Sequence, residues 1–349
     1  MPFPISGPCV ADFMYAIVRS TCRSSVALPA TIALFLLAIV LQWNGAQSVA
    51  VADDIAYVTG GVNLVMTGSY VNPFGEPELW FPPVYPLAIG LLSFGGLFDP
   101  FVVARLISVA AAVTSLILVH RLLRDVLTTE EASDQYVALI PTIATFLLAM
   151  NPTFQTYANR ALSESLATCL TISALSVWLR HKPGSMRFVL TGLLVALAAL
   201  TRPECVLVLP LWCGLEVLFH RNLATIRNGL LAGLICGATL FPYAAWLHQH
   251  TGKWSISNKG EVNLAAGRSG FHGTPREFID TESLTMGYYS QEVSVPTEAK
   301  RYLFNWNKLR LAFVTVYYKP SLALAVFAAM IYGAFRLWKT NPQLAAALL

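Results

Sequence analysis

The sequence predicts an all-α protein, a polytopic membrane helical bundle of about eight transmembrane helices. Of its 349 residues, 56% are hydrophobic and only 12% are charged, whereas soluble domains carry about 25% charged residues. The mean hydropathy is +0.58. A water-soluble core of this size cannot bury so much apolar surface, so lipid must solvate part of the chain.

The candidate spans are apolar runs that approach the length of about 20 residues needed to cross a bilayer. They are Val26–Trp43, Phe101–Leu122, Tyr136–Met150, Ser165–Leu179, Phe188–Leu200, Cys205–Phe219, Leu230–His248 and Pro320–Leu337. Thr201–Glu204 places two charges and a proline between two of these runs, which favours a hairpin over one long kinked helix. A further apolar run begins at Leu344 and is still continuing at Leu349, so we expect the protein to continue beyond it.

The positive charges predict the orientation of the bundle. Arg19 and Arg23 precede the first run, which is too long for a signal peptide and lacks a convincing cleavage site, so we expect an uncleaved span. Further basic residues follow alternate runs, at Arg121 and Arg124, at Arg180, Lys182 and Arg187, at Arg221 and Arg227, and at Arg336 and Lys339. Alternation places all of them on the cytoplasmic side, in accord with the positive-inside rule. The outer loops are then 44–100, 151–164, 201–204 and 249–319.

Several functional classes are not supported by the sequence. The net charge of +4 is small and its basic residues lie in loops, which fits lipid headgroups as partners and gives no indication of nucleic acid. The six cysteines contain no C-x-x-C pair, so neither a zinc site nor a disulfide framework is expected. His248, His250 and His272 lack metal-ligand spacing and are interpreted as surface loop residues. No nucleotide-binding or hydrolase motif is present.

Two adjacent carboxylates, Asp53 and Asp54, stand in the first outer loop just after the first span. Val58, Val62 and Val65 recur at helical spacing behind them, which predicts a short amphipathic helix in the membrane interface with the acids at its N-terminus. The pair could simply cap that helix. Acidic groups beside a membrane carry a desolvation cost, however, and a functional role is the alternative interpretation.

Other acidic residues of this loop are less informative. Glu76 and Glu78 precede the sequence Trp80-Phe81-Pro82-Pro83, and taken alone they are typical of solvated loop charges. The prolines predict a rigid, extended entry into the next apolar segment.

Cationic side chains converge on the same outer face. Arg105 lies near the outer end of the second span and is expected to snorkel to the interface. Arg160 and Glu164 are four residues apart, which allows an ion pair on one helix. Arg202 lies in the short hairpin with Glu204, and Lys259 lies in the last loop, where solvent exposure is the simplest interpretation. Together these cations could enclose an anion site, because guanidinium groups bind phosphate bidentately.

Six short stretches carry a family resemblance. They are Asp53–Tyr57, Pro82–Pro86, Ala104–Leu106, Ser163–Leu166, Gly192–Glu204 and Thr251–Trp254. In their order and sidedness the chain resembles polytopic glycosyltransferases of the GT-C superfamily. It is most similar to the bacterial relatives of protein O-mannosyltransferases and aminoarabinose transferases, the family 39-like group. The resemblance covers most of residues 1–349 and implies a single transmembrane glycosyltransferase-like domain.

The resemblance also implies a reaction. The donor would be a polyprenyl-phosphate-linked sugar, bound from the membrane lipid, and the acceptor a hydroxyl of a glycan, lipid or protein on the extracytoplasmic side of the inner membrane. Asp53 would be the general base, Asp54 would orient it or the acceptor, and the anomeric carbon would be inverted. The implied substrate-binding residues are Tyr57, Glu78, Arg105, Arg160, Glu164, Arg202 and Lys259. No organic cofactor is expected, and a divalent cation bound by the acidic pair is left open.

One departure and two alternatives accompany this interpretation. Similar proteins have Glu-Lys directly before the paired prolines, where this chain has Trp80 and Phe81, so Glu78 is the nearest acid. A secondary transporter or lipid flippase would show inverted repeats and polar groups near the bilayer midplane, and the sequence shows neither. A non-catalytic subunit would keep the fold without the chemistry, and the presence of Asp53 and Asp54 disfavours it.

Overall fold

The computed structural model describes residues 24–43, 52–128, 139–180, 185–220 and 223–258. Their regular secondary structure is helical, and no β-strand occurs in these ranges. They divide into two compact units. The first contains the described parts of 24–76 and 84–180, and the second contains 77–83 together with the described parts of 185–258. The predicted span Pro320–Leu337 and the predicted last-loop residues Lys259 and His272 lie outside the described residues.

Ten α-helices and one 3-10 helix occur in the described ranges. Their bounds are α1 Ser24–Leu41, α2 Ala52–Thr67, α3 Val84–Leu92, α4 Pro100–Thr128, α5 Ile140–Ala149, α6 Pro152–Ala158, α7 Glu164–Arg180, α8 Ser185–Ala199, a 3-10 helix Pro203–Leu207, α9 Val208–His220 and α10 Leu223–Thr251. Each predicted span that falls in the described ranges coincides with one of these apolar helices, so the all-α prediction agrees with this part of the chain.

Two of the described helices are long and apolar enough to cross a membrane, over Pro100–Asp125 and Leu223–Thr251. Shorter apolar helices occur at Val26–Leu41, Ile140–Ala149 and Glu164–Leu179, and at Ser185–Ala199. Together with the composition, these helices indicate an all-α integral membrane protein. The total of about eight spans stays a prediction.

The interruption between α8 and α9 has a local cause. Arg202 adopts an extended backbone conformation at φ −145° and ψ 117°, and Pro203 begins the 3-10 helix. Proline disfavours helical geometry in the preceding residue and has no N–H for a continuing helix. The sequence argument for two helices rather than one kinked helix is therefore confirmed.

In the first unit, α2 and α3 run parallel and touch through glycines. A Cβ atom on Gly61 would collide with the backbone of Pro86, and one on Gly90 would collide with the backbone of Gly61. The absence of side chains lets the two helices approach closely, as in the small-residue interfaces of membrane proteins. This packing brings the N-terminal ends of α2 and α3 side by side.

We expect Gly90→Ala to lower the stability of the protein by about 1–3 kcal/mol, because the new methyl group would overpack the contact with α2. Gly237→Ala in α10 is the matched control, since no atom lies within 4 Å of a Cβ at that position. Thermal unfolding in detergent measures both variants. Equal melting temperatures for the two would contradict the close packing of α2 on α3.

In the second unit, α8 packs on α10 and is joined to α9 by a buried ion pair. Arg187 Nη2 donates to Glu216 Oε1 at 2.7 Å, and the two side chains are 9% and 13% exposed. The sequence analysis placed Arg187 among the cytoplasmic basic residues and did not identify its partner. A buried charge requires such a partner, because desolvation of an isolated ion is costly.

Glu216→Gln should therefore destabilise the protein by about 3–5 kcal/mol, since it leaves the Arg187 charge buried without this carboxylate. Glu204→Gln provides the comparison, because Glu204 pairs with Arg202 in a half-exposed position where an ion pair contributes only about 0–1 kcal/mol. The same unfolding assay tests both. A loss no larger for Glu216→Gln than for Glu204→Gln would contradict a buried pair.

Candidate active site

The acidic pair occupies the first turn of α2, as the sequence predicts. Asp54 is buried, with 6% of its surface exposed, whereas Asp53 is half-buried. The N-terminus of a helix favours negative charge, which offsets part of the cost of burying Asp54. Of the two carboxylates, Asp53 is the one that a ligand can reach more readily.

Tyr85, in the first turn of α3, is a fully buried residue near the acidic pair. Its side chain is fully buried, and its hydroxyl oxygen lies 3.0 Å from the carbonyl oxygen of Ala104 and 3.0 Å from Ser108 Oγ. Burial raises the pKa of Tyr85 well above its ordinary value, and the nearby charges of Asp54 and Glu164 raise it further. The phenol therefore stays protonated, and both carboxylates lie in its neighbourhood.

Tyr57 connects the acidic helix to a distant part of the chain. Its ring packs edge-to-face on Tyr85, with centroids 5.2 Å apart. Its hydroxyl is hydrogen-bonded to Ser163 Oγ at 3.0 Å, across 106 positions of sequence. Ser163 immediately precedes α7, whose first residue is Glu164. The structure thus brings together Asp54, Tyr57 and Glu164, three residues that the sequence singled out.

Sequence reasoning missed the organising role of Tyr85 and Ser108. Tyr85 falls within the stretch Pro82–Pro86 that contributed to the family resemblance, so a signal for its position was present. Ser108 lies in an apolar span, where its hydroxyl also donates to the carbonyl oxygen of Leu162 at 3.1 Å. A lone serine in such a run carries no signal by itself.

Arg105 does not snorkel to the interface, so that prediction is wrong. It is 7% exposed, and it donates from Nε to the carbonyl oxygen of Asn159 at 3.0 Å and from Nη2 to Asn159 Oδ1 at 2.7 Å. Its guanidinium carbon lies 3.5 Å from the centroid of the Trp43 ring. The guanidinium group turns inward because the protein supplies amide oxygens and an aromatic face.

Arg160 and Glu164 do not share a helix, so the predicted i, i+4 ion pair is also wrong. Asn159 caps the C-terminus of α6, and Arg160 lies in the bend that separates α6 from α7. Arg160 is exposed, whereas Glu164 begins α7 as a partly buried residue. Arg160 therefore directly follows Asn159, the residue that binds Arg105. The side chain of Arg160 itself is exposed to solvent.

The two acids near the prolines differ in exposure. Glu76 is exposed, as expected of a solvated loop charge. Glu78 is only 3% exposed, so the same interpretation is wrong for it. Its Oε1 accepts hydrogen bonds from the backbone N–H of Trp80 at 2.9 Å and of Phe81 at 3.3 Å. Glu78 belongs to the second unit, while Asp53 and Asp54 belong to the first.

Of the remaining predicted residues, Arg202 is half-buried and its Nε lies 2.6 Å from Glu204 Oε1. His248 and His250 end α10 rather than lying in a loop. Their rings contact Trp254 and Trp246, at centroid distances of 4.4 Å and 4.5 Å. Within the part of the chain that the structure describes, no group of three or more His, Cys, Asp or Glu residues is placed to hold a metal ion.

These observations define a helical membrane protein in which Asp54, Tyr57, Tyr85 and Glu164 lie near one another in the first unit. Residues 82–246, slightly less than half of the chain, match the family model of the Alg9-like mannosyltransferase family. The protein is a membrane glycosyltransferase. The matched segment includes Tyr85, Arg105 and Glu164 and begins after the acidic pair.

The match supports a glycosyltransferase of the GT-C type, as the sequence motifs predict, and does not support the narrower resemblance to the family 39-like group. Neither the comparison with curated proteins nor the comparison with solved structures gave a match.

The hydrogen bond between Tyr57 and Ser163 should be visible in a double-mutant cycle. Tyr57→Phe and Ser163→Ala each leave a buried hydroxyl without this partner, which should cost about 1–3 kcal/mol of stability. The double variant should cost less than the sum of the two, because both ends of the bond are removed together. Unfolding measurements that gave additive losses would show that the two hydroxyls are not coupled.

Proposed function

We propose that this glycosyltransferase moves a mannosyl group from a polyprenyl-phosphate-linked donor to an acceptor hydroxyl on the extracytoplasmic face of the cell membrane. The observation that carries the proposal is the acidic pair in the first turn of α2, in which Asp53 is half-buried and Asp54 is buried. The Alg9-like match supports mannose as the sugar. A glycan, lipid or protein could supply the hydroxyl.

In the proposed step, the acceptor oxygen attacks the anomeric carbon and the bond from that carbon to the phosphate oxygen breaks. Asp53 takes the acceptor proton, the phosphate leaves with the bonding electrons, and the anomeric configuration is inverted. Asp53 suits the role of base because it is the more accessible carboxylate, whereas Asp54 is suited to orient the N-terminal turn of α2. A positive group must stabilise the charge that develops on the phosphate.

Arg160 is the best candidate for that group among the arginines of the first unit. Its side chain is exposed, and guanidinium groups bind phosphate oxygens bidentately. Arg105 is engaged by Asn159 and Trp43, so we assign it to holding the bend in which Arg160 lies. Arg202 and Lys259 remain further candidates from the sequence, and the charge of Arg202 is partly balanced by Glu204.

Transfer of labelled mannose from a synthetic polyprenyl-phosphate donor, measured in membranes, tests the proposal. Asp53→Asn should lower kcat by about 10²–10⁴-fold, the contribution typical of a general base, and Asp54→Asn should have a smaller effect. Asp99→Asn is the matched control, because the Asp99 side chain accepts bonds from Phe101 N and Val102 N at the start of α4 and asparagine caps helices equally well.

Transfer that is unaffected by Asp53→Asn would refute the base assignment while leaving the transferase intact. Absence of transfer by the unsubstituted protein with any polyprenyl-phosphate sugar would instead favour the flippase or the non-catalytic subunit. Loss of activity in Asp99→Asn as well would indicate a general loss of folding rather than a chemical role.

A further inference from the structure

Residues 93–99, which we term the tip, connect α3 to α4 in the first unit and carry exposed apolar side chains. Phe94, Leu97 and Phe98 are each more than half exposed, and the rings of Phe94 and Phe98 contact each other with centroids 5.8 Å apart. A cluster of exposed apolar side chains of this kind marks a surface that binds a partner or a membrane. Further exposed apolar residues lie on the flanking helices, at Leu91 and Leu92 on α3 and at Phe101, Val102 and Leu106 on α4.

The backbone of the tip reverses direction through three left-handed residues. Phe94, Gly95 and Gly96 have φ angles of 52°, 67° and 95°. Glycine adopts such angles at little cost, whereas a bulky residue such as Phe94 is strained there. The strained residue also exposes its ring. Water would stabilise neither feature, whereas apolar surroundings would stabilise the exposed ring.

Most backbone N–H groups of the tip have partners within the tip itself or in the last turns of α3. The carbonyl oxygen of buried Ser93 accepts from two of them, and its hydroxyl donates to the carbonyl oxygen of Gly90 at 3.2 Å. Lipid offers no hydrogen bonds to a backbone, so an irregular segment can approach it only where its own N–H groups are satisfied. The N–H groups that donate to backbone carbonyl oxygens, at 2.8–3.1 Å, are those of Ser93, Phe94, Gly95, Gly96 and Phe98.

The length of α4 indicates the level of the tip in the membrane. The apolar part of α4 begins at Pro100, directly after the tip, and the only Asp, Glu, Lys or Arg before Arg121 is the buried Arg105. From Pro100 to Arg121 a helix rises about 32 Å at about 1.5 Å per residue, close to the thickness of about 30 Å of the hydrocarbon core. Because the exposed charges of Arg121 and Arg124 favour one membrane surface, Pro100 comes to lie at the opposite one.

We propose that the tip is a membrane anchor, inserted into the lipid interface at the N-terminal end of α4, where Phe94, Leu97 and Phe98 contact acyl chains. Bilayer lipid is favoured over a protein as the occupant, because the exposed apolar surface continues onto α4, a helix long and apolar enough to cross the membrane. Side chains of these types are the ones that helices bury at a membrane interface. This inference does not depend on the proposed transferase function.

The one charged residue of the tip fits this position. The Asp99 side chain accepts from the N–H groups of Phe101 and Val102 at the start of α4, so it caps the helix at the boundary between lipid and water. Tyr85 lies in the first turn of α3, and the tip follows the other end of that short helix. Anchoring the tip would therefore fix the depth of α3 in the membrane.

The test places the photoreactive residue p-benzoylphenylalanine at position 98 of the full chain, reconstituted in phosphatidylcholine vesicles. On illumination this residue bonds to C–H groups that it contacts, and mass spectrometry of the labelled peptide identifies what was captured. Position 76 is the matched control, because Glu76 is also exposed and its N–H donates to Asn72 Oδ1 in a polar turn. We expect acyl-chain adducts at position 98 to exceed those at position 76 by about tenfold or more, since only an inserted side chain stays in contact with acyl chains.

Position 97 provides a second site for the same probe. Leu97 is 78% exposed, so a larger side chain there has room, and this variant carries the test if the variant at position 98 does not fold. Thermal unfolding shows whether each labelled protein is folded. Acyl-chain adducts at position 97 should likewise exceed those at position 76.

Capture of a second copy of the chain in place of lipid, seen as a doubled mass, would show that protein covers the tip and would overturn the proposal. Equal lipid adducts at positions 76 and 98, or none at positions 97 and 98, would overturn it as well. If the unsubstituted protein transfers no sugar from any polyprenyl-phosphate donor, the proposed function fails, and the adducts still decide whether the tip lies in lipid.

Discussion

The buried hydroxyl of Tyr85 is the interaction on which the arrangement of the first unit depends. It lies within hydrogen-bonding distance of Ala104 and Ser108 on α4, and its ring receives the edge of Tyr57 from α2. Tyr57 in turn reaches Ser163 at the start of α7. Four helix ends are therefore held by a short chain of polar and aromatic contacts. In surroundings of low dielectric, such a network is strong when every member is satisfied.

A second constraint is that three buried charged side chains of the described residues are stabilised by partners of different kinds. Arg105 is held by the amide oxygens of Asn159 and the Trp43 ring, and Arg187 by a carboxylate. Glu78 accepts from backbone N–H groups. Charged side chains inside membrane proteins are costly and are retained where they bind or position something. In the first unit, Asp53 is half-buried and Arg160 is exposed, and the proposed transfer reaction assigns its base and its phosphate-binding group to these two residues.

Local patterns predicted the helices well and the partners of charged residues poorly. The valine spacing behind Asp53 and Asp54 correctly indicated a helix with both acids in its first turn. Pro203 correctly indicated the break between α8 and α9. The snorkelling of Arg105, the ion pair of Arg160 and Glu164, and the solvated state of Glu78 were wrong. The surroundings of each of these residues depend on a chain bend or on a residue distant in sequence, and the spacing of residues along one helix predicts neither.

By itself, the sequence determined that the chain is apolar enough to require a membrane, that its apolar runs are helical, and that acids and arginines occur near helix ends. These properties depend on composition and on contacts within a few residues, where the helical period fixes the geometry. The tertiary structure alone decided that Asp54 is buried while Asp53 is more accessible, that Tyr57 meets Ser163, and that buried Glu78 accepts hydrogen bonds from the backbone N–H groups of Trp80 and Phe81. These outcomes depend on which distant segment fills the space beside each polar group, because a buried donor or acceptor must find its partner wherever the fold supplies one.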